Sequence, residues 1–212
     1  MREIDLERWS RREHFKVFSG LGYPHFGLCA DLDITAFRPF LKQHGISFTV
    51  AVVYIVTRAA NGIPAFRQRI RSGRVIEHDV CHPSTTILTG EDLFSFCAFP
   101  YHEDFSSFAS EAAERIARVK EHLYMEDDTR RDELLFMTAI PWVSFTSFLH
   151  PIHLDPTDSV PRFAWGKFFE ERGATKMPFS VQVHHGLVDG LHVGRFFEAA
   201  QASFENPDRV LV

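Results

Sequence analysis

The chain has 212 residues and a formal net charge of −5 at pH 7, a balance that argues against a basic nucleic-acid-binding surface. A chain of this length buries about 70% of its unfolded surface, and we predict one domain spanning residues 1–212. No stretch approaches ~18 uninterrupted apolar residues, so no membrane-spanning helix is expected.

The residue composition also bears on the core and on the cellular compartment. The 22 phenylalanines predict an aromatic-rich core and an aromatic pocket. The three cysteines, Cys29, Cys81 and Cys97, form no CxxC pair, and the charged N-terminal segment lacks the apolar core of a signal peptide. We therefore predict a cytoplasmic protein with reduced thiols.

The apolar pattern predicts short strands interspersed with a few helices, without internal repeats or linkers. Residues 48–60 form a run that is too long for a typical strand, so we predict a mostly buried helix with Ser47 as its N-cap. In chain order the elements are a strand at 26–33, a helix at 48–60, strands at 74–77, 85–88 and 92–99, a helix at 104–122, strands at 134–140, 143–149, 163–169 and 177–183, and a helix at 191–204. This mixture is typical of an α+β sandwich.

The last predicted strand and helix flank the motif His-His-Gly-Leu-Val-Asp-Gly, residues 184–190. Histidine is the side chain best suited to take a proton at neutral pH, so His185 is a candidate general base for a substrate hydroxyl. Asp189 has two interpretations. It either polarises His185 directly, as in a serine-protease triad, or it pairs with a cation and holds the local backbone in shape.

A zinc site is the competing interpretation of the same segment. His184, His185, Asp189 and His192 lie within nine residues. However, glycines on both sides of Asp189 weaken a continuous helix, and no thiolate ligand is nearby. We therefore predict no metal site.

Beyond the motif, the segment VQVHHGLVDGLHVGRFF resembles the active-site region of the chloramphenicol acetyltransferase family, within a superfamily of CoA-dependent acyltransferases. The resemblance extends in order from Trp9 to Arg195 and includes WSRREHF, DLDIT, PWVSFTSF and GKFF. It implies a two-layer α+β sandwich in which helices cover a large mixed β-sheet. It also implies O-acetyl transfer from acetyl-CoA to a hydroxyl of a small aromatic acceptor, the chemistry of the antibiotic-resistance enzymes.

The resemblance further implies an assembly and a set of catalytic roles. Family members are homotrimers in which one subunit supplies the histidine and its neighbour supplies most of the acceptor pocket. By this resemblance His185 is the general base in a ternary complex, and Asp189 pairs with Arg11. Thr138 matches a serine that stabilises the oxyanion just before Pro-Trp, although an ordinary strand threonine is the alternative.

The acceptor pocket departs from the family at three positions. Phe18 replaces a tyrosine, Ala164 replaces a threonine, and His150 replaces an apolar residue, so chloramphenicol itself is expected to be a non-preferred acceptor. Lys167 matches a lysine near CoA, or else is merely solvated. The predicted acceptor contacts, each of which could instead be plain core, are Phe18, Phe26, Phe94, Phe96 and His150.

Two other functions remain open at this point. One is an acyltransferase of the same fold that acts on another alcohol or an amine. The other is a family member that binds a small ligand without turnover. The chain keeps the complete set of predicted catalytic residues, which weighs against a family member without turnover: His185, Asp189, Arg11 and a hydroxyl at Thr138.

Overall fold

The computed structural model describes residues 1–121, 125, 131–155 and 157–212. Within them the chain forms five α-helices, ten β-strands and two short 3₁₀ helices. The helices are α1 (Arg12–Ser19), α2 (Phe37–His44), α3 (Phe48–Asn61), α4 (Phe105–Glu121) and α5 (Gly190–Glu205). The strands are β1 (Arg2–Glu3), β2 (His25–Asp33), β3 (Gln68–Arg71), β4 (Arg74–Glu77), β5 (His82–Leu88), β6 (Phe94–Ala98), β7 (Leu134–Ile140), β8 (Arg162–Gly166), β9 (Phe169–Glu171) and β10 (Ala174–His184).

A seven-stranded mixed sheet organises the molecule. Its strands lie in the order β2-β10-β8-β7-β5-β6, and β9 pairs with the beginning of β10. The neighbours β5, β7 and β8 run parallel, whereas the other pairs are antiparallel. A small separate sheet has the order β1-β4-β3.

The two faces of the large sheet differ because side chains alternate along each strand. One face packs against α3, α4 and α5, and there Phe163 of β8 and Phe179 of β10 contact Phe196 of α5 at ring-centroid distances of 5.1 and 5.8 Å. On the opposite face, Thr86 of β5 and Thr138 of β7 line a cavity instead. The predicted two-layer α+β sandwich is confirmed.

Most predicted elements are present with shifted ends. The helix predicted at 104–122 is α4, and residue 122 lies outside the described residues. The strand predicted at 85–88 extends back to His82, and the one predicted at 177–183 is the longer β10. Ser47 does occupy the N-cap of α3, but its hydroxyl makes no capping hydrogen bond.

Two strand predictions are wrong. Residues 143–149 are irregular, because β5 and β8 already occupy both edges of β7 and leave the following segment no edge there to pair with. The strand predicted at 163–169 breaks after Gly166. At that point residues 142–149, the crossing segment, pass so close to β8 that a Cβ on Gly166 would lie 2.7 Å from the Val143 carbonyl oxygen.

Among the described residues, no helix combines the length and the apolar character needed to cross a bilayer.

Candidate active site

The turn after β10 positions His185. Its backbone N–H donates to the carbonyl of Pro24 at 2.8 Å, which ties the end of β10 to the segment before β2. Gly186 follows in a confined space, where a Cβ would lie 3.0 Å from the His184 ring and 3.3 Å from Phe15. The first glycine of the motif is therefore needed for packing.

Two aromatic side chains hold the His185 ring. Phe18 stacks on it with a centroid distance of 3.8 Å and an interplanar angle of 8°, and Phe26 contacts it at 4.6 Å. The residue is half-buried, and its Nδ1 is buried without a hydrogen-bond partner among the described residues. Thus two of the predicted acceptor contacts lie beside the histidine of their own chain.

Asp189 makes contacts that favour the framework interpretation. Its carboxylate accepts a hydrogen bond from the Arg11 guanidinium at 2.5 Å and caps α5 by accepting from the Leu191 N–H at 3.0 Å. The same guanidinium donates to the His185 carbonyl at 3.3 Å. No hydrogen bond joins the Asp189 carboxylate to the His185 ring in the part of the chain that is described. Asp189 therefore holds the backbone that carries the base.

This pairing has a consequence for stability. Partial burial acts to raise the pKa of Asp189, but the hydrogen bond from Arg11 and the neighbouring charges of His192 and Arg11 outweigh it and hold that pKa below its usual value. A carboxyl group whose folded-state pKa is lowered stabilises the fold above its unfolded pKa. That stabilisation is lost as the pH falls through the folded-state value.

We therefore expect Asp189→Asn to lower the free energy of unfolding at pH 7 by about 1.5–3 kcal/mol, the range for hydrogen bonds to charged groups. The ~3–5 kcal/mol of a fully buried pair is not expected, since the Asp189 side chain is 29% exposed. Denaturant midpoints of both proteins from pH 7 to about pH 3 test this, because the unfolded pKa is near 4. A difference that widens toward acid pH would contradict the assignment.

The other two histidines of the motif region have separate partners. His184 is buried, and its Nδ1 accepts a hydrogen bond from the Gly186 N–H at 3.1 Å. Burial, aided by nearby His25 and His185, lowers the pKa of His184 to about 4, so the ring is neutral at physiological pH. His192 contacts the Asp189 carboxylate at 2.9 Å. The two rings act as structural supports of the turn.

A cavity of about 670 Å³ lies on the face of the large sheet that the helices do not cover. Most of the other predicted site residues line it. Thr138 lies on its wall, and its hydroxyl is 2.7 Å from that of Thr86. Phe94 and Phe96 line it as an edge-to-face pair at 5.7 Å, and His150 lines it as well. This cavity can take a small, partly aromatic ligand beside a hydroxyl donor.

The sequence analysis missed most of the cavity lining, including the polar residues Thr86, Asp158 and Arg162. Strand alternation in His-Pro-Ser-Thr-Thr-Ile-Leu could have placed Thr86 opposite the buried Thr85. Arg162 and Asp158 carried no such signal, because their position in the cavity depends on the pairing of β8 with β7.

Lys167 lies apart from the turn that carries His185 and from the residues that line the cavity. Its side chain is exposed, its N–H donates to the Val143 carbonyl at 2.9 Å, and its own carbonyl accepts from the Ser144 hydroxyl at 2.6 Å. The residue thus anchors the crossing segment through its backbone, and its ammonium group is available to a ligand.

The candidate base and the candidate oxyanion donor are far apart within one chain. Thr138 pairs with Ala164, and Ala164 pairs with Ser180, so Thr138 and Ser180 are about 10 Å apart across two strand spacings. His184 lies four residues beyond Ser180, which adds about 14 Å along β10. A single subunit therefore does not bring His185 to Thr138.

Comparisons with known proteins agree with this arrangement of elements. A sequence model of the family described as "Chloramphenicol acetyltransferase" matches residues 1–201. A chloramphenicol acetyltransferase from Escherichia coli is 33% identical over 200 residues, which are 93% of this chain and 91% of the relative. One from Clostridium perfringens is 31% identical over 206 residues, 96% of this chain and 94% of the relative.

Solved structures give the same result for the fold. A chloramphenicol acetyltransferase superposes with a TM-score of 0.83 at 28% identity, covering 95% of this chain and 99% of the other. The truncated catalytic core of a 2-oxoacid dehydrogenase multienzyme complex from Thermoplasma acidophilum has a TM-score of 0.70 at 16% identity, with 98% of each chain covered. The second likeness concerns the fold alone.

Proposed function

The chain belongs to the chloramphenicol acetyltransferase family of CoA-dependent acetyltransferases, and we propose that it acetylates a hydroxyl of a small aromatic acceptor. The acyl donor is acetyl-CoA, as the family implies. The observation that carries the assignment of residues is the placement of His185. It stands at the end of β10, stacked on Phe18, with its backbone tied to Arg11 and Asp189.

His185 is the proposed general base, acting through Nε2. Because Nδ1 is buried without a partner among the described residues, Nε2 is the nitrogen that can meet a substrate. Nε2 takes the proton of the acceptor hydroxyl while the oxygen attacks the thioester carbonyl carbon. When the tetrahedral intermediate collapses, the C–S bond breaks and the CoA thiolate recovers that proton from His185.

Thr138 is the proposed oxyanion donor. Its hydroxyl donates to the carbonyl oxygen as negative charge develops there. Thr86 supports this role, because its hydroxyl lies 2.7 Å from the Thr138 oxygen, and in the orientation where Thr86 donates the Thr138 hydrogen is free for the intermediate. Lys167, exposed beside the crossing segment, is the proposed contact for a CoA phosphate.

The test of this function is acetyl transfer itself. The purified protein is given acetyl-CoA and a panel of small alcohols, and both free CoA thiol and the O-acetylated product are quantified. Equal amounts of the two are expected. CoA release without an acetylated product would indicate a thioesterase. Binding of alcohols without CoA release would indicate a family member that binds ligands but does not react.

We further propose a homotrimer in which each site takes His185 from one subunit and the Thr138 cavity from its neighbour. The separation of these residues within one chain supports it. So do large apolar side chains on the crossing segment that no described residue covers, with Trp142, Val143 and Leu149 exposed by 65, 54 and 62%.

Light scattering of the purified protein is therefore expected to give about three times the 24.4 kDa chain mass. Measurement across a wide range of protein concentration, with activity followed in parallel, serves as the control. An active species with the mass of a single chain would rule out the shared site.

A further inference from the structure

His192 completes a reciprocal cap at the start of α5. The Asp189 carboxylate accepts a hydrogen bond from the His192 N–H at 3.4 Å, and in return Nδ1 of His192 accepts one from the Asp189 N–H at 3.2 Å. This is the geometry of a capping box, in which the third helical residue is ordinarily glutamate or glutamine and here is histidine. The cap joins the turn that carries His185 to a rigid helix.

The ring of His192 has the protonation state that this cap needs. Its side chain is 17% exposed, and burial lowers its pKa below the usual value of a histidine. The charges of Arg11 and Arg195 act in the same direction, and together these effects outweigh the attraction of the Asp189 carboxylate. An uncharged imidazole keeps a lone pair on one of its nitrogens. At neutral pH Nδ1 can therefore accept the Asp189 N–H.

Asp189 connects this cap to the backbone of the base. Its second carboxylate oxygen accepts from the Arg11 guanidinium at 2.5 Å, and the same guanidinium donates to the His185 carbonyl at 3.3 Å. A chain of contacts thus runs from His192 through Asp189 and Arg11 to the residue that carries the base. A shift of Asp189 at the start of the helix would be transmitted to the His185 backbone.

The His185 ring is sensitive to such a shift because its position is confined. It stacks on Phe18 at 3.8 Å and contacts Phe26 at 4.6 Å. Movement of the turn would take the ring out of this stack. A displacement of about 1 Å at a reacting group can lower the rate about 10²-fold, so a small movement at the helix start is enough to reduce turnover.

We infer that His192 is a positioning residue for acetyl transfer: its Nδ1 fixes the N-cap of α5 and, through Asp189 and Arg11, keeps the His185 ring where it receives the substrate proton. The inference rests on the proposed function for the role of His185 as the base. His192 is not among the residues that line the cavity, so it acts through its neighbours and not on the acceptor.

Two substitutions separate the cap from the packing of the ring. His192→Leu keeps an apolar side chain but removes the acceptor, so kcat should fall roughly ten- to a hundredfold, with little change in KM for either substrate. His192→Gln supplies an acceptor that is usual in a capping box and should recover most of the turnover. His102→Leu, at an exposed histidine, is the matched control and should keep the wild-type kcat. Assays well below each unfolding midpoint separate lost turnover from lost stability.

A second readout does not depend on acetyl transfer. Diethyl pyrocarbonate modifies accessible imidazole nitrogens, and tandem mass spectrometry of the peptides gives the rate at His185. A ring released from Phe18 and Phe26 is more accessible, so His185 should react faster in His192→Leu and at the wild-type rate in His192→Gln.

Three results would overturn the inference: wild-type kcat in His192→Leu, an equal loss of kcat in His192→Gln, or an unchanged modification rate at His185 in His192→Leu. Faster modification of His185 in His192→Leu, in a protein whose wild type acetylates no alcohol, would support the positioning role and contradict the proposed function.

Discussion

His185→Ala should lower turnover by ~10²–10⁴-fold, the range for the loss of a general base. The ring is the only group of the turn that combines stacking against Phe18 with a nitrogen free to meet a substrate, as far as the described residues show. The backbone contacts of position 185, to Pro24 and to Arg11, do not involve the ring and remain in the variant. The measurement is kcat with saturating acetyl-CoA.

His102→Ala provides a matched control at an exposed position and should retain wild-type turnover. Circular dichroism and acetyl-CoA binding should be unchanged in His185→Ala, which separates lost chemistry from lost folding. Near-wild-type turnover of the purified alanine variant would mean that His185 is not the base.

Thr138→Val has the second largest expected effect. Valine matches threonine in shape but removes the hydroxyl, so the oxyanion loses its donor and kcat should fall by ~10²–10³-fold, as for an oxyanion-hole donor. Because the interaction forms in the transition state, KM should change little. Thr138→Ser keeps the hydroxyl and should restore most of the activity.

Thr86→Val is a graded control. It leaves the Thr138 hydroxyl in place but removes its 2.7 Å partner, so it should cost less than Thr138→Val. If Thr138→Val left kcat near the wild-type value, Thr138 would be an ordinary strand residue.

The sequence alone was sufficient for the elements with a strong local signal. The 48–60 run has the length of a helix, and its burial agrees with its composition. The motif at 184–190 stands at the predicted junction between β10 and α5. In both cases the pattern and the outcome depend on residues close together in the chain.

The errors arise where distant segments meet. Nothing within residues 143–149 indicates that β5 and β8 occupy both edges of β7, so an apolar segment resembled a strand. The role of Gly166 depends on the close approach of the Val143 carbonyl. The polar wall of the cavity likewise depends on the register of β8 against β7, which brings Arg162 beside Phe136.

The prediction of site residues also failed where segments distant in the chain meet. Phe18 and Phe26 were predicted in the acceptor pocket together with Phe94 and Phe96, but within one chain they lie against His185 instead. The two groups come from opposite ends of the sheet. A motif specifies the residue types of a site but contains no information on which subunit supplies each of them.

Mixing subunits tests the shared site most directly. His185→Ala and Thr138→Val chains with different tags are unfolded, mixed in equal amounts and refolded together, and native mass spectrometry confirms the mixed trimers. In a cyclic trimer about a quarter of the sites then combine an intact His185 with an intact Thr138 from the neighbouring subunit. Activity should therefore recover to about a quarter of the wild-type value, although each parent is nearly inactive. Mixed trimers no more active than their parents would show that both residues act within one subunit.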